Sequence, residues 1–316
     1  MPHSYHVLAP AKVNLRLKIT GRRSDGHHLL SMLNAPLDLA DKITLTFTSK
    51  ADISVSSVEF GELINPSPSQ RNKLESELLS ESNLLVRAAL VCREQLGFSE
   101  GINFELQKNI PLGAGLGGGS SDAGAAAKFL FDKFGNRKKR EEFVSKLAAI
   151  GSDIPFCFYS QPAWVRGVGD QITILPDKVS QIFSDKECML VFPNIHVSTV
   201  TVYDSYRNKN PEIKTLHDRD MDRLFDVENL STQEIWEIIL SLLCNDLESA
   251  LSPKYEALEQ CLMKLRSVGI RACMTGSGST VLFLHSEGIF SNHFEQLKQL
   301  EDILGSTARF QIVRFL

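Results

Sequence analysis

Residues 111 to 124 read Pro-Leu-Gly-Ala-Gly-Leu-Gly-Gly-Gly-Ser-Ser-Asp-Ala-Gly and run into Ala-Ala-Ala-Lys-Phe-Leu, a strong helix former. Glycines can take positive φ, so such a loop can aim several N–H groups at one anion, and the helix that follows adds its positive end. This is the chemistry of a phosphate cradle, and it makes a nucleotide the first ligand to consider. Other residues can supply reactive groups. Asp153, in Gly151-Ser152-Asp153-Ile154-Pro155-Phe156, sits in a stiff, partly apolar setting. There a carboxylate can take a hydroxyl proton, or simply serve as a turn or capping residue. Lys12 lies in an apolar, strand-like segment, either snorkelling from an edge or held in a site. Asn14, two residues on, shares its strand face. His27 and His28 are adjacent in a polar loop, with no cysteine or carboxylate cluster nearby to suggest zinc.

The positioning elements follow from periodicity. Alternation predicts strands at 7–9, 13–19, 43–47, 53–55 and 102–106, the last leading into the glycine loop. The polar, proline-bearing stretch 65–77 reads as an exposed loop. Helical spacing covers 83–96, and helices are expected at 121–134 and 137–149, the last stopping at Gly151. Beyond about residue 170 the texture changes. Strands are expected at 189–192, 271–274, 281–284 and 308–315, and helices at 233–243, 254–267 and 290–304. Without a strict βαβ rhythm, the expectation is an α+β fold of two lobes, 1–170 and 171–316.

The chain has 316 residues, 43% hydrophobic and 23% charged, as expected of a globular protein. A net charge of −4 gives no pull toward nucleic acid or an anionic membrane. The basic run 137–140 reads as a solvated helix start. No apolar run reaches the ~20 residues that span a bilayer, and no secretory signal is visible at the N-terminus. Six cysteines never form a C-x-x-C pair, which fits reduced thiols in the cytoplasm.

The loop is not a Walker A motif, because Gly119 is followed by Ser120 where a lysine is required. Gly113 to Gly118 does satisfy G-x-G-x-x-G. A dinucleotide fold, however, also needs a second strand ending in an acid about 20 residues on, and a basic helical run stands there instead. The third class is Pro-x-x-x-Gly-Leu-Gly-Gly-Gly-Ser-Ser. Pro111, Leu112, Gly113, Ala114, Gly115, Leu116, Gly117, Gly118, Gly119, Ser120 and Ser121 together resemble the signature loop of the GHMP kinase superfamily. The segments 9–15 and 274–280 are similar to its opening and third motifs. Segments 19–28, 150–156 and 245–248 are similar to its 4-diphosphocytidyl-2-C-methyl-D-erythritol kinase branch.

That resemblance implies a two-lobed GHMP kinase fold, with an N-terminal, ribosomal-protein-like ATP lobe, a C-terminal α+β lobe and the site in the cleft between. It implies ATP as co-substrate, with Mg²⁺ held mainly by its phosphates, and a small cytidine diphosphate alcohol as acceptor. No nucleic-acid or membrane partner is expected, and the state is a monomer or weak homodimer. The resemblance makes Lys12 and Asp153 the catalytic pair and the 111–121 loop the ATP cradle, where Ser120 and Ser121 can also simply cap the helix. Asn83, otherwise an ordinary N-cap, would contact adenine, and Lys108 would approach the nucleotide. For the acceptor, Asn14 would bond hydroxyls, His28 would read the base edge, and the base would lie between positions 27 and 203. Those positions hold His27 and Tyr203, where the family has Tyr and often Phe. Thr199 would meet the substrate's polar tail.

Overall fold

The computed structural model describes residues 3–64, 66–135, 139–193, 195, 197–209, 218–251, 255–267, 270–287 and 309–316. The chain forms two compact units. One comprises Met1–Lys12, Leu39–Leu112 and Gly117–Ser160; the other comprises Val13–Asp38, Gly113–Leu116 and Gln161–Leu316. The division expected near residue 170 is a linear one. Compactness groups the chain differently, because its first two strands, β1 (Ser4–Arg22) and β2 (His28–Thr48), each contribute residues to both units.

In the first unit, β3 (Ile53–Phe60), β4 (Gly101–Lys108), β2 and β1 lie in that order. β4 pairs antiparallel with β2, Leu45 opposite Phe104, and parallel with β3. Helices α1 (Pro68–Leu78), α2 (Leu84–Leu96), α3 (Gly118–Phe134), α4 (Arg140–Ala148) and α5 (Ile154–Tyr159) follow along the chain. α2 buries Leu85, Ala88, Ala89 and Cys92, the expected helical spacing, and stops at Gly97 in the left-handed conformation. Its partner α3 buries Ala123, Ala126, Ala127 and Leu130. Small residues let α3 approach α5: a Cβ on Gly124 would stand 2.6 Å from the Cys157 Cβ. Leu45, Phe104, Phe143 and Phe158 complete this core.

In the second unit, β2 pairs with β5 (Ala163–Gly167), which pairs with β6 (Gln171–Ile174). β1 pairs parallel with the short β8 (Cys244–Asn245). A separate antiparallel sheet runs β11 (Arg309–Arg314), β7 (Glu187–Phe192), β10 (Val281–Leu284), β9 (Arg271–Met274). Helices α6 (Asp177–Ser184), α7 (Thr199–Lys209), α8 (Thr232–Leu242) and α9 (Glu256–Ser267) belong to the same unit.

Several expectations need correction. The stretch 65–77 is not a loop: Pro68 to Leu78 is a helix, started by a capping box between Ser67 and Gln70 with Pro68 in its first turn. It buries no residue, so it lacked the apolar stripe that marks helices in sequence. α5, α7 and the β5–β6 hairpin were also not foreseen. The helix expected at 290–304 lies outside the described residues. All six cysteines are free; five are buried, and Cys244 is half-buried.

Candidate active site

The glycine loop has the backbone its sequence demands. Gly113, Gly115 and Gly117 take φ of 67°, 80° and 70°, the left-handed region that costs other residues energy. Within the second unit, Gly115 meets a second glycine run, Gly276-Ser277-Gly278-Ser279: a Cβ on Gly115 would stand 2.4 Å from the Thr275 carbonyl oxygen. Thr280 N–H donates to the Ala114 carbonyl at 3.3 Å. Asn245 braces this second run by donating from Nδ2 to the Met274 and Gly276 carbonyls, at 2.7 and 2.8 Å. Glu248 accepts the Met274 N–H at 2.8 Å. Ala114 and Leu116 are buried, Pro111 and Leu112 half-buried, and Gly113 and Gly119 exposed.

Within the first unit, Gly117 caps α3 with no side-chain bond. The first N–H groups of α3 therefore point out of the helix at its positive end, available to an anion. Ser120 is half-buried on that turn. Ser121 is different: it is buried and its hydroxyl donates to the Pro10 carbonyl at 2.6 Å. That bond anchors α3 to β1.

Lys12 and Asp153 meet in this unit. Lys12 Nζ stands 3.5 Å from Asp153 Oδ2, with side chains 5% and 32% exposed. Asp153 occupies the N-cap position of α5, yet its carboxylate makes no capping bond. Turn or cap duty thus leaves the side chain unspent. The Lys12 stem runs against Gly117, where a Cβ would fall 3.0 Å from Cγ and Cε. The lysine that Walker A places inside its loop here lies beside the loop, on β1. Cys157, one turn after Asp153, is buried, and burial pushes its thiol up.

In the second unit, Asn14 is buried and donates from Nδ2 to Asn34 Oδ1 at 2.6 Å, while its N–H donates to Thr275 Oγ1 at 2.8 Å. His28 lies against Tyr203, ring centroids 5.3 Å apart and planes at 34°, with Tyr206 edge-on at 6.1 Å. Its Nε2 is buried with no hydrogen-bond partner. Burial, aided by the charges of Arg22 and Arg207, pushes the imidazolium down, so the neutral ring prevails at neutral pH. His27 is the residue expected to face Tyr203 across the base. The turn at Gly26, φ 94°, sends it outward, 70% exposed, with Nδ1 3.3 Å from Asp25 Oδ1. Thr199 is exposed on α7 and bonds Ser277 Oγ at 2.7 Å, at the second glycine run.

Two residues expected near the nucleotide have partners within the fold. Lys108 is fully buried, and its ammonium donates to both Asp41 and Asp122. Leaving those partners for a nucleotide would strand two buried carboxylates. Asn83 caps α2, accepting from Leu85 N–H at 2.9 Å and donating to the Leu78 carbonyl at 2.6 Å. Its amide thus caps the start of α2 and ties it to the end of α1.

Sequence reasoning missed a polar network in the second unit. Buried Arg16 donates to Asp218 from Nε at 2.9 Å and from its terminal nitrogen at 2.7 Å. Ser31 Oγ donates to Asp218 at 2.8 Å and accepts from Trp164 Nε1 at 2.8 Å. Burial alone would raise the Asp218 carboxyl, but the bonds from Arg16 and Ser31 outweigh it and hold it low. Ser31, Trp164 and Asp218 line a cavity of about 460 Å³. Nothing in the local sequence pairs residue 16 with residue 218.

The comparisons with known proteins agree in direction. Residues 83–161 match the family described as GHMP kinases N terminal domain. The chain is 33% identical over 282 residues to the 4-diphosphocytidyl-2-C-methyl-D-erythritol kinase of Syntrophotalea carbinolica, covering 89% of each. It is 31% identical over 315 residues to the enzyme of that name from Sinorhizobium medicae, covering 97% of this chain and 93% of the relative. A solved structure of 4-(cytidine 5'-diphospho)-2C-methyl-D-erythritol kinase superposes with a TM-score of 0.68 at 27% identity, over 98% of this chain and 99% of that one. The Methanococcus jannaschii mevalonate kinase gives 0.63 at 14% identity, over 100% and 99%, a likeness of fold alone.

Proposed function

Because this chain belongs to the 4-diphosphocytidyl-2-C-methyl-D-erythritol kinase family, we propose that it moves the γ-phosphoryl group of ATP to the 2-hydroxyl of 4-diphosphocytidyl-2-C-methyl-D-erythritol. It is a small-molecule kinase of non-mevalonate isoprenoid precursor synthesis. The observation that carries the mechanism is the Lys12–Asp153 pair, whose carboxylate is free of capping duty.

Phosphoryl transfer needs held phosphates, a positioned hydroxyl and cancellation of growing negative charge. The N–H groups of the 111–121 loop and the start of α3 take the phosphates, with Ser120 beside them. Asp153 accepts the proton of the acceptor hydroxyl. As the new O–P bond forms, the bond from the γ-phosphorus to the bridging oxygen breaks and ADP leaves. The Lys12 ammonium offsets the charge that builds on the transferring group. At the other end of the acceptor, Tyr203 stacks on the cytosine and His28 Nε2 bonds its edge. Asn14 and Thr199 bond the polar body of the substrate. Mg²⁺ would be held mainly by the ATP phosphates, where it would offset their charge, and no step is routed through it. Free cysteines fit a reducing cytoplasm, and no described helix is long and apolar enough to cross a membrane. We take the enzyme as a monomer or weak homodimer.

The test is ADP release from Mg-ATP with the cytidine diphosphate alcohol, and phosphorus NMR to locate the new phosphate. Turnover with phosphate on the 2-oxygen is expected. Turnover only with homoserine or mevalonate, or ATP binding without transfer to any alcohol, would overturn the reading.

A further inference from the structure

The phosphate loop rests on a buried ionic trio. Asp41, Lys108 and Asp122 come from β2, β4 and α3, and all three are shut off from solvent. Lys108 Nζ donates to one oxygen of each carboxylate. The other oxygen of Asp41 accepts two consecutive backbone N–H groups, those of Asn109 at 2.5 Å and Ile110 at 2.8 Å. Those are the two residues immediately before Pro111, where the loop begins. Asp122 sits on α3 just after the loop's last glycines. Gly118, the first residue of α3, also approaches this group, and a Cβ there would stand 3.5 Å from Asp41 Oδ2. One ammonium thus joins the entry of the loop, through Asp41, to its exit, through Asp122.

Such a group is a costly way to hold a fold together. Buried ion pairs are often no more stabilising than apolar side chains of similar volume. What they add is direction, because an ammonium with two carboxylates accepts few geometries, whereas a methyl packs in many. We propose that Asp41, Lys108 and Asp122 form a clamp that sets the separation of the two ends of the phosphate loop and so positions ATP without touching it. The clamp rests on the reading of the 111–121 loop as the nucleotide cradle. It gives Lys108 a positioning role where the sequence suggested contact.

The test separates nucleotide affinity from folding. Asp122→Ala removes the exit anchor but leaves Lys108 and Asp41 as a neutral pair, so no buried charge is stranded. Asp122→Asn restores an oxygen that Lys108 can reach. For Asp122→Ala the expected result is a rise of about tenfold or more in KM for ATP, with KM for the acceptor alcohol within about twofold of wild type. Asp122→Asn should recover most of the ATP affinity. A role confined to folding would lower thermal stability without splitting the two KM values. An unchanged KM for ATP in folded Asp122→Ala, or equal rises for both substrates, would overturn the clamp. If Asp122→Ala does not fold, the triple variant D41N/K108M/D122N, which leaves no charge in the group and removes the ammonium link, carries the same comparison. Calorimetry with ATP and the wild-type protein keeps the two readings apart. No binding by wild type sinks the cradle itself, whereas equal binding by wild type and variant sinks only the clamp.

Discussion

Lys12 Nζ and Asp153 Oδ2 stand 3.5 Å apart, joining the lysine of β1 to a carboxylate at the head of α5 that caps nothing. Removing either group should cost turnover and little else. Positioned general bases typically contribute about 10²–10⁴-fold, so Asp153→Ala should lose that much kcat. Its melting temperature should stay near wild type, since the carboxylate is one-third exposed and holds no helix end. Steady-state kinetics with a thermal melt decide the matter, and near-normal kcat in a folded variant would remove Asp153 from the chemistry.

Gly117 links the loop to that pair. At φ 70° an alanine meets a left-handed strain of about 1–2 kcal/mol. Its Cβ would also press the Lys12 stem at 3.0 Å. Gly117→Ala should therefore fold with a lowered melting point and lose at least about tenfold in kcat. Crystallography of the variant would show the lysine moved; an unmoved lysine with full activity contradicts this account.

His28 carries a buried, unpartnered Nε2 beside the Tyr203 ring. His28→Phe keeps a ring and deletes the edge donor or acceptor. Losing such a buried bond costs about 1–3 kcal/mol, so KM for the cytidine alcohol should rise roughly 10- to 100-fold while KM for ATP holds. Burial lowers the imidazolium below its ordinary 6.5, so the neutral ring persists through neutral pH. Acceptor KM should stay flat from pH 8 down past 6.5 and rise only below it. A rise already complete at pH 7 would contradict a neutral reader.

Legibility in the sequence followed backbone and order, not side-chain direction. The loop, α2 and α3 are readable because glycine runs and periodicity are linear properties, whereas the pairing of Lys12 with Asp153 comes from the family resemblance. The partners of Ser121 and Lys108 are hidden for the opposite reason. Both stand at or beside the loop, and only the fold shows that one hydroxyl turns to Pro10 and one ammonium to Asp41 and Asp122. Arg16 read as one more strand residue, because its partner Asp218 lies 202 positions away. α1 was hidden because its stability comes from a cap and not from an apolar face.

Asp122 makes stability depend on pH. Burial, reinforced by the Asp41 charge against the pull of Lys108, pushes its carboxyl up from the ordinary 3.8 to about 7. A raised folded pKa means the native state binds the proton more tightly than the unfolded chain. Its contribution is full below about pH 4 and is lost as pH rises through 7. Between pH 5.5 and 8 the wild-type melting temperature should fall by several degrees more than that of Asp122→Asn. Parallel melting curves for the two proteins would rule out a raised carboxyl at Asp122.

The thiols have a practical consequence for optical and spin probes. Burial pushes Cys92, Cys157, Cys188, Cys244, Cys261 and Cys273 all upward, away from the reactive thiolate. Maleimides attack thiolates, so the native chain is nearly silent to them at neutral pH. A single cysteine introduced on exposed α1 would carry a label almost alone, with none of the six native ones replaced.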